Sequence, residues 1–221
     1  MAEDHRVRVA REKRERMRAH LLLSVLAVCS KETARGPAVI DDVTRHAEVS
    51  RGTFYKYFES LDQAIGELGL QFADDMVSEI GSVYDTIDDP VMRTATGFQM
   101  YLIRSVIEPH WGAFIANVHL LSGSNLFTSA IQADIRAGLA TGDYDMPSVE
   151  VATDLLMGAK VEAIRRIIAD QRGAEYVRMS TAMVLRSFGV SRNKAEVSVR
   201  RAAERLEIEA PGTVDWWRRI D

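Results

Sequence analysis

Val49-Ser50-Arg51-Gly52-Thr53-Phe54-Tyr55-Lys56-Tyr57-Phe58 reads as a short helix with two unlike faces. Val49, Phe54 and Phe58 are spaced to hold it against neighbouring helices, whereas Ser50, Arg51, Thr53, Tyr55, Lys56 and Tyr57 crowd hydroxyls, aromatics and cations into two turns. Such groups hydrogen-bond phosphates and base edges. Gly52 disfavours a helix by about 0.5–1 kcal/mol relative to Ala, and a bare backbone there allows close approach to a nucleic acid.

Working outward, Ile40, Val43 and Ala47 form one face of a preceding short helix, and Glu48-Val49 is the turn. Ser50 is placed to cap the second helix, expected over Arg51–Phe58. Ser60-Leu61-Asp62-Gln63 fits a capping box opening a longer helix with Leu61, Ile65, Leu68 and Phe72 on one side. Upstream, Met17, Leu21, Val25 and Cys29 make one face of a first helix over about Val9–Lys31. The whole is a helix-turn-helix.

Beyond residue 60 the chain continues as helices. Asp89 caps Pro90–Ile107, then come segments over about Trp111–Leu121, Asn125–Ala140, Pro147–Asp170, Ala174–Phe188 and Arg192–Glu207, and a tail with Trp216-Trp217. No strand or hairpin signal stands out, so the fold class is all-α. Phe98, Tyr101, Trp111, Phe114, His119 and Phe127 are candidates to line an apolar pocket, or else ordinary core. Leu155, Ala159, Ala163, Ile167, Ala182 and Met183 are candidates for a dimer interface, or else for burial within the monomer. His110 and His119 lack a third ligand at helical spacing, so neither a metal nor another cofactor is expected.

The net charge of −4 hides an asymmetry. Residues 1–60 carry 12 Lys and Arg against 9 Asp and Glu, while the rest carries 16 against 23. A basic head on an acidic body suits a head that meets a polyanion. The N-terminal arm concentrates Arg6, Arg8, Arg11, Lys13, Arg14, Arg16 and Arg18. It either follows DNA, or is a solvated terminus interleaved with Glu12 and Glu15. No stretch is long and apolar enough for a membrane span, no signal-peptide pattern is present, and a single cysteine excludes an internal disulfide; a cytoplasmic setting is expected. No nucleophile elbow, phosphate-cradling glycine loop or His-Glu-x-x-His appears, so no enzyme is expected.

The Val49–Phe58 segment, extended by Ile40–Ala47 and Glu59–Leu68, resembles the recognition-helix signature of the TetR family of transcriptional regulators. The resemblance covers about residues 10–70. It implies a three-helix DNA-binding head over 1–60, with a basic arm at 1–16, on a larger ligand-binding and dimerisation body over 61–221. By position, Arg51 falls where the family often reads a base. Thr53, Tyr55 and Tyr57 fall at phosphate contacts, Lys56 at a variable contact, and Ser50 and Gly52 within the same segment. Three positions depart from the pattern. Glu48 replaces a turn glycine, Val39 a capping threonine, and Leu61 a phosphate-binding lysine. The implied function is a homodimeric regulator of a pseudo-palindromic double-stranded operator, a repressor released by a small-molecule effector. The alternative is a ligand-binding or protein-interaction scaffold that keeps the fold without DNA binding.

Overall fold

A computed structural model describes the backbone of residues 5–31, 38–84, 86–117 and 125–221; the side chains it describes begin at residue 7 and omit 84 and 125–127. Every regular element among them is helical. In chain order these are α1 (His5–Cys29), α2 (Ile40–His46), α3 (Arg51–Tyr55), α4 (Leu61–Tyr84), α5 (Pro90–Ile107), α6 (Pro109–Asn117), α7 (Asn125–Ala140), α8 (Val149–Asp170), α9 (Ala174–Ser187) and α10 (Arg192–Glu209). No helix among the described residues is long and apolar enough to cross a membrane.

Local chemistry explains the boundaries. The Asp89 carboxylate accepts from the Val91 N–H at 2.8 Å, and Pro90 follows at the first helical position, where its missing donor leaves nothing unsatisfied. Ser148 accepts from Val151 N–H at 3.2 Å, so α8 begins after Pro147 rather than at it. Helix α3 stops at Tyr55, short of the expected Phe58, because Lys56 and Tyr57 donate to Thr53 and Phe54 in a tightened turn. That turn drives Phe58, 2% exposed, back into the core.

The body is organised around α5, which is buried from Pro90 to Ser105 except at Met92 and Arg93. Helices α4, α6, α7, α8, α9 and α10 surround it. Its buried polar groups are satisfied: Gln99 Nε2 donates to the Val199 carbonyl at 3.1 Å, tying α5 to α10. The Tyr144 ring lies so close over Gly138 that any Cβ there would overlap it, and the Tyr144 hydroxyl reaches Thr94 Oγ1 at 2.8 Å. The tail packs on the body with Trp216 and Trp217 both buried. The Trp216 indole donates to Glu79 Oε2 on α4 at 2.7 Å. Arg104 joins them, bonded to Glu79 at 3.2 Å and stacked between Trp111 and Trp216, 4.6 and 5.2 Å from the ring centres.

Candidate nucleic-acid interface and effector cavity

The face of α3 is built from its anchor outward. Phe54 is fully buried and packs on Phe58 with ring centres 5.5 Å apart, which fixes the rotation of the helix. That rotation leaves Arg51, Gly52, Tyr55 and Lys56 exposed, with Thr53 and Tyr57 half-buried beside them. Ser50 is the cap: its Oγ accepts from Thr53 N–H at 3.1 Å and lies 3.0 Å from Thr53 Oγ1. A Cβ on Gly52 would meet only Ser50 Oγ at 3.8 Å, so nothing inside the protein requires the glycine.

Two turns of chain brace this face. The α2 terminus forms a Schellman motif, with Glu48 and Val49 N–H groups donating to the Arg45 and Thr44 carbonyls at 3.3 and 3.0 Å. Glu48 is the left-handed residue of that motif, at φ 55°, where glycine is the usual occupant. His20 on α1 bonds the Ala47 carbonyl at 2.9 Å and holds the turn from behind. Val39 offers no capping oxygen; instead its N–H donates to Asp42 Oδ2 at 3.3 Å. Arg51 Nε pairs with Asp41 Oδ1 of α2 at 2.9 Å, both side chains more than half exposed. An exposed pair of this kind contributes about 0–1 kcal/mol, so a phosphate or guanine edge can displace the carboxylate.

Arg18, grouped with the basic arm by sequence, is a brace. Its Nε donates to Glu67 Oε1 at 2.8 Å, its Nη2 bonds Glu67 Oε2, and its Nη1 donates to the Tyr57 carbonyl at 2.9 Å. Its guanidinium also sits 4.4 Å over the Phe58 ring. One side chain of α1 thereby clamps the end of the α3 segment to α4. Further out, Arg8 and Arg11 are exposed and pair with Glu12 and Glu15 at 3.8 and 3.7 Å.

In the body, α4, α5, α7 and α8 enclose a cavity of about 470 Å³. Val77, Ile80, Ile87, Phe98, Ile131 and Leu156 supply its apolar wall. Arg93 Nε and Asp134 Oδ1 pair at 2.7 Å on one side, and burial raises the Asp134 carboxyl above its ordinary range against that pairing. Lys160, 4% exposed, enters from α8 with Nζ 4.5 Å from the Tyr101 ring centre. Burial pulls its ammonium down to about 7.

A family model described as the tetracyclin repressor-like C-terminal domain matches residues 89–201, just over half of the chain. The chain belongs to the TetR family of transcriptional regulators. Solved structures agree in fold. RolR, solved in complex with resorcinol, is 22% identical with a TM-score of 0.67, over 86% of this chain and 96% of RolR. The fatty acid degradation regulator FadR from Bacillus halodurans is 11% identical with a TM-score of 0.64, over 78% of this chain and 94% of its own. FadR from Bacillus subtilis, solved in complex with stearoyl-CoA, is 16% identical with a TM-score of 0.58, over 77% of this chain and 96% of its own. No curated protein matches the sequence.

Of the pocket residues expected from sequence, Phe98 and Tyr101 line the cavity of this TetR-family body. Trp111 and Phe114 do not. They lie in the core behind it, where Phe72 packs edge-on against Phe114 at 5.5 Å and Trp111 backs the Tyr101 ring at 5.8 Å. His119 and the Phe127 side chain fall outside the described residues. His110 shares a hydrogen bond with Ser30, just past the end of α1, at 3.2 Å, and no metal-binding cluster occurs among the described residues. The Cys29 thiol is half-buried and pushed up to about 11 by that burial, so it stays protonated and unreactive.

Along α8 and α9, Leu155 and Met183 are exposed, together with Val151 and Met179. Leu155, Met179 and Met183 line an open groove together with Ala159 and Ala163. Ala182 is half-buried, and Ile167, at 3% exposure, points into the protomer core. The cavity's polar groups, Arg93, Asp134 and Lys160, escaped the sequence reading. Lys160 had a detectable signal: it shares the buried stripe of Leu156, Ala163, Ile164 and Ile167.

Proposed function

We propose that this chain is a homodimeric regulator that binds a pseudo-palindromic duplex through the α3 face and is released from it, as a repressor, by a small molecule in the body cavity. The head is residues 1–60 and the body 61–221. The observation that carries the reading is the rotation of α3, which buries Phe54 and Phe58 and turns Arg51, Gly52, Tyr55 and Lys56 outward. Arg51 is the base reader, suited to two bonds with a guanine edge. Tyr55, Lys56, Thr53 and Tyr57 hold the backbone, with Ser50 capping the helix that presents them. The effector reading is supported by the size of the cavity, within the range of small-molecule sites. It is also supported by RolR and the Bacillus subtilis FadR, whose structures were solved with resorcinol and stearoyl-CoA.

The test is selection of bound sequences from random duplex DNA, followed by binding across salt concentrations and comparison with Gly52→Ala. The expected result is a pseudo-palindrome whose affinity falls steeply with salt. Gly52→Ala should raise thermal stability, since alanine favours a helix by about 0.5–1 kcal/mol and meets no protein atom closer than 3.8 Å. The same substitution should weaken DNA binding, because only DNA competes for that space. Recovery of no motif, with equal affinity for the wild type and Gly52→Ala, would place the chain with scaffolds that keep the fold without reading DNA.

A further inference from the structure

The two acids that open α2 do different things. Asp42 is used within its own turn: Oδ2 accepts from the Val39 N–H at 3.3 Å and Oδ1 from Arg45 Nη1 at 3.1 Å. Asp41 instead reaches across to α3, where its Oδ1 lies 2.9 Å from Arg51 Nε, with both side chains more than half exposed. A carboxylate beside residues that meet DNA repels the phosphates and lowers affinity. What it adds is selectivity. It meets the guanidinium at Nε, which leaves Nη1 and Nη2 for the O6 and N7 of a guanine. A long, exposed arginine loses rotamer freedom when it docks, and a pair that restrains it beforehand reduces that loss. An ionised carboxylate is also an acceptor with no proton to give. Guanine O6 and N7 and thymine O4 are acceptors and repel it, adenine sets its amino donor beside the N7 acceptor, and cytosine offers the N4 amino group. The 2.9 Å separation from Nε is close to the ~3.4 Å spacing of successive bases, which puts the carboxylate within reach of the base pair next to the guanine.

We propose that Asp41 is a second base reader, accepting from the amino group of a cytosine in the base pair beside the guanine bound by Arg51. This rests on the reading of the α3 face as the DNA-binding face. The two residues act as a unit. Arg51 selects guanine; Asp41 steadies Arg51, admits cytosine at the next pair and rejects guanine and thymine there. Tyr55 and Lys56 supply affinity from the phosphates without selectivity. The acid lowers affinity and adds selectivity.

The experiment selects bound sequences from random duplex DNA with the full-length wild type, Asp41→Asn and Asp41→Ala, each first shown to melt cooperatively. Affinities are then measured for the wild-type consensus duplex, for its replacements at the two pairs, and for an unrelated duplex. The wild type is expected to recover a guanine beside a cytosine in each half-site, preferring cytosine there by about 5-fold or more. Asp41→Asn offers an amide, which suits adenine N6 and N7, so the guanine should stay and adenine should replace the cytosine. In Asp41→Ala the preference at that pair should fall to about 2-fold or less, while both variants bind the unrelated duplex more tightly because a negative charge is gone. Unchanged preferences at both pairs in the two variants, whatever the overall affinity, would overturn the proposal and leave Asp41 a surface charge. A preference lost at the guanine alone would overturn it too, since the carboxylate would then only orient Arg51. Recovery of no motif by the wild type would overturn both the second reader and the reading of the α3 face. A wild-type motif that the variants leave untouched removes Asp41 alone.

Discussion

Glu48 and Lys160 each carry a measurable consequence of their surroundings. Glu48 holds φ 55° at the turn between α2 and α3, a left-handed conformation that disfavours a side chain by about 1–2 kcal/mol. Glu48→Gly should therefore stabilise the protein by on the order of 1 kcal/mol in chemical denaturation. It also removes a carboxylate one residue from the α3 segment, so operator affinity should rise and its salt dependence change little. A fall in stability would mean that the Glu48 side chain makes a compensating contact.

Lys160 gives a pH signature. Its proton is held to about 7 in the folded protein and to its ordinary 10.5 when unfolded. Below about 7 both states are protonated and the folded state holds a buried charge. Between there and 10.5 the unfolded chain binds more protons, so stability attributable to this group rises with pH. The stability advantage of Lys160→Met over the wild type should shrink by on the order of 2 kcal/mol between pH 6 and pH 9. A gap independent of pH would show that the amine stays charged throughout.

Helix α4 connects the two sites. Near its start Glu67 grips Arg18, which in turn holds the Tyr57 carbonyl and the Phe58 ring. Near its end Val77, Ile80 and Gly81 line the cavity, and Glu79 is bonded to Arg104 and Trp216. From Glu67 to Ile80 is roughly 20 Å of continuous helix, so the two grips are mechanically linked. Glu67→Gln keeps the shape and removes the charge. It should lower stability by about 1–2 kcal/mol and reduce the effect of any cavity ligand on DNA affinity, while the ligand's own affinity stays unchanged. Equal coupling in the variant would show that another path carries it. At this scale the helices and many caps were legible in advance: Ser50 and Asp89 cap through bonds to residues two or three positions away, which a sequence displays directly. Arg18 was not, because its partners lie 39 and 49 positions away and an arginine among six other basic residues looks like part of a solvated arm. Trp111 and Phe114 stay open between pocket and core in the sequence because a cavity wall and the layer behind it use the same side chains; burial and the lining of the cavity separate them.

For the molecule as a whole, the exposed stripe on α8 and α9 is the surface that asks for a partner. Val151, Leu155 and Ala159 recur every fourth residue on α8, and Met179 and Met183 do so on α9. Leu155 and Met183 are 48% and 60% exposed, which leaves an apolar patch open on this face. A second copy of the chain, related by a two-fold axis, would bury this patch against itself and bring a second α3 face into the assembly. Because both side chains are exposed in the protomer, Leu155→Glu with Met183→Glu should leave helix content intact while placing four carboxylates at the joint. Sedimentation should then report a monomer. Operator affinity should fall by ~100-fold or more, since each head must bind its half-site without the effective concentration supplied by the other, while binding of small probes in the cavity persists. A variant that stays dimeric would move the interface elsewhere on the body. A monomer that kept full operator affinity would mean that one α3 face reads the site alone, and the expectation of a pseudo-palindrome would fall with it.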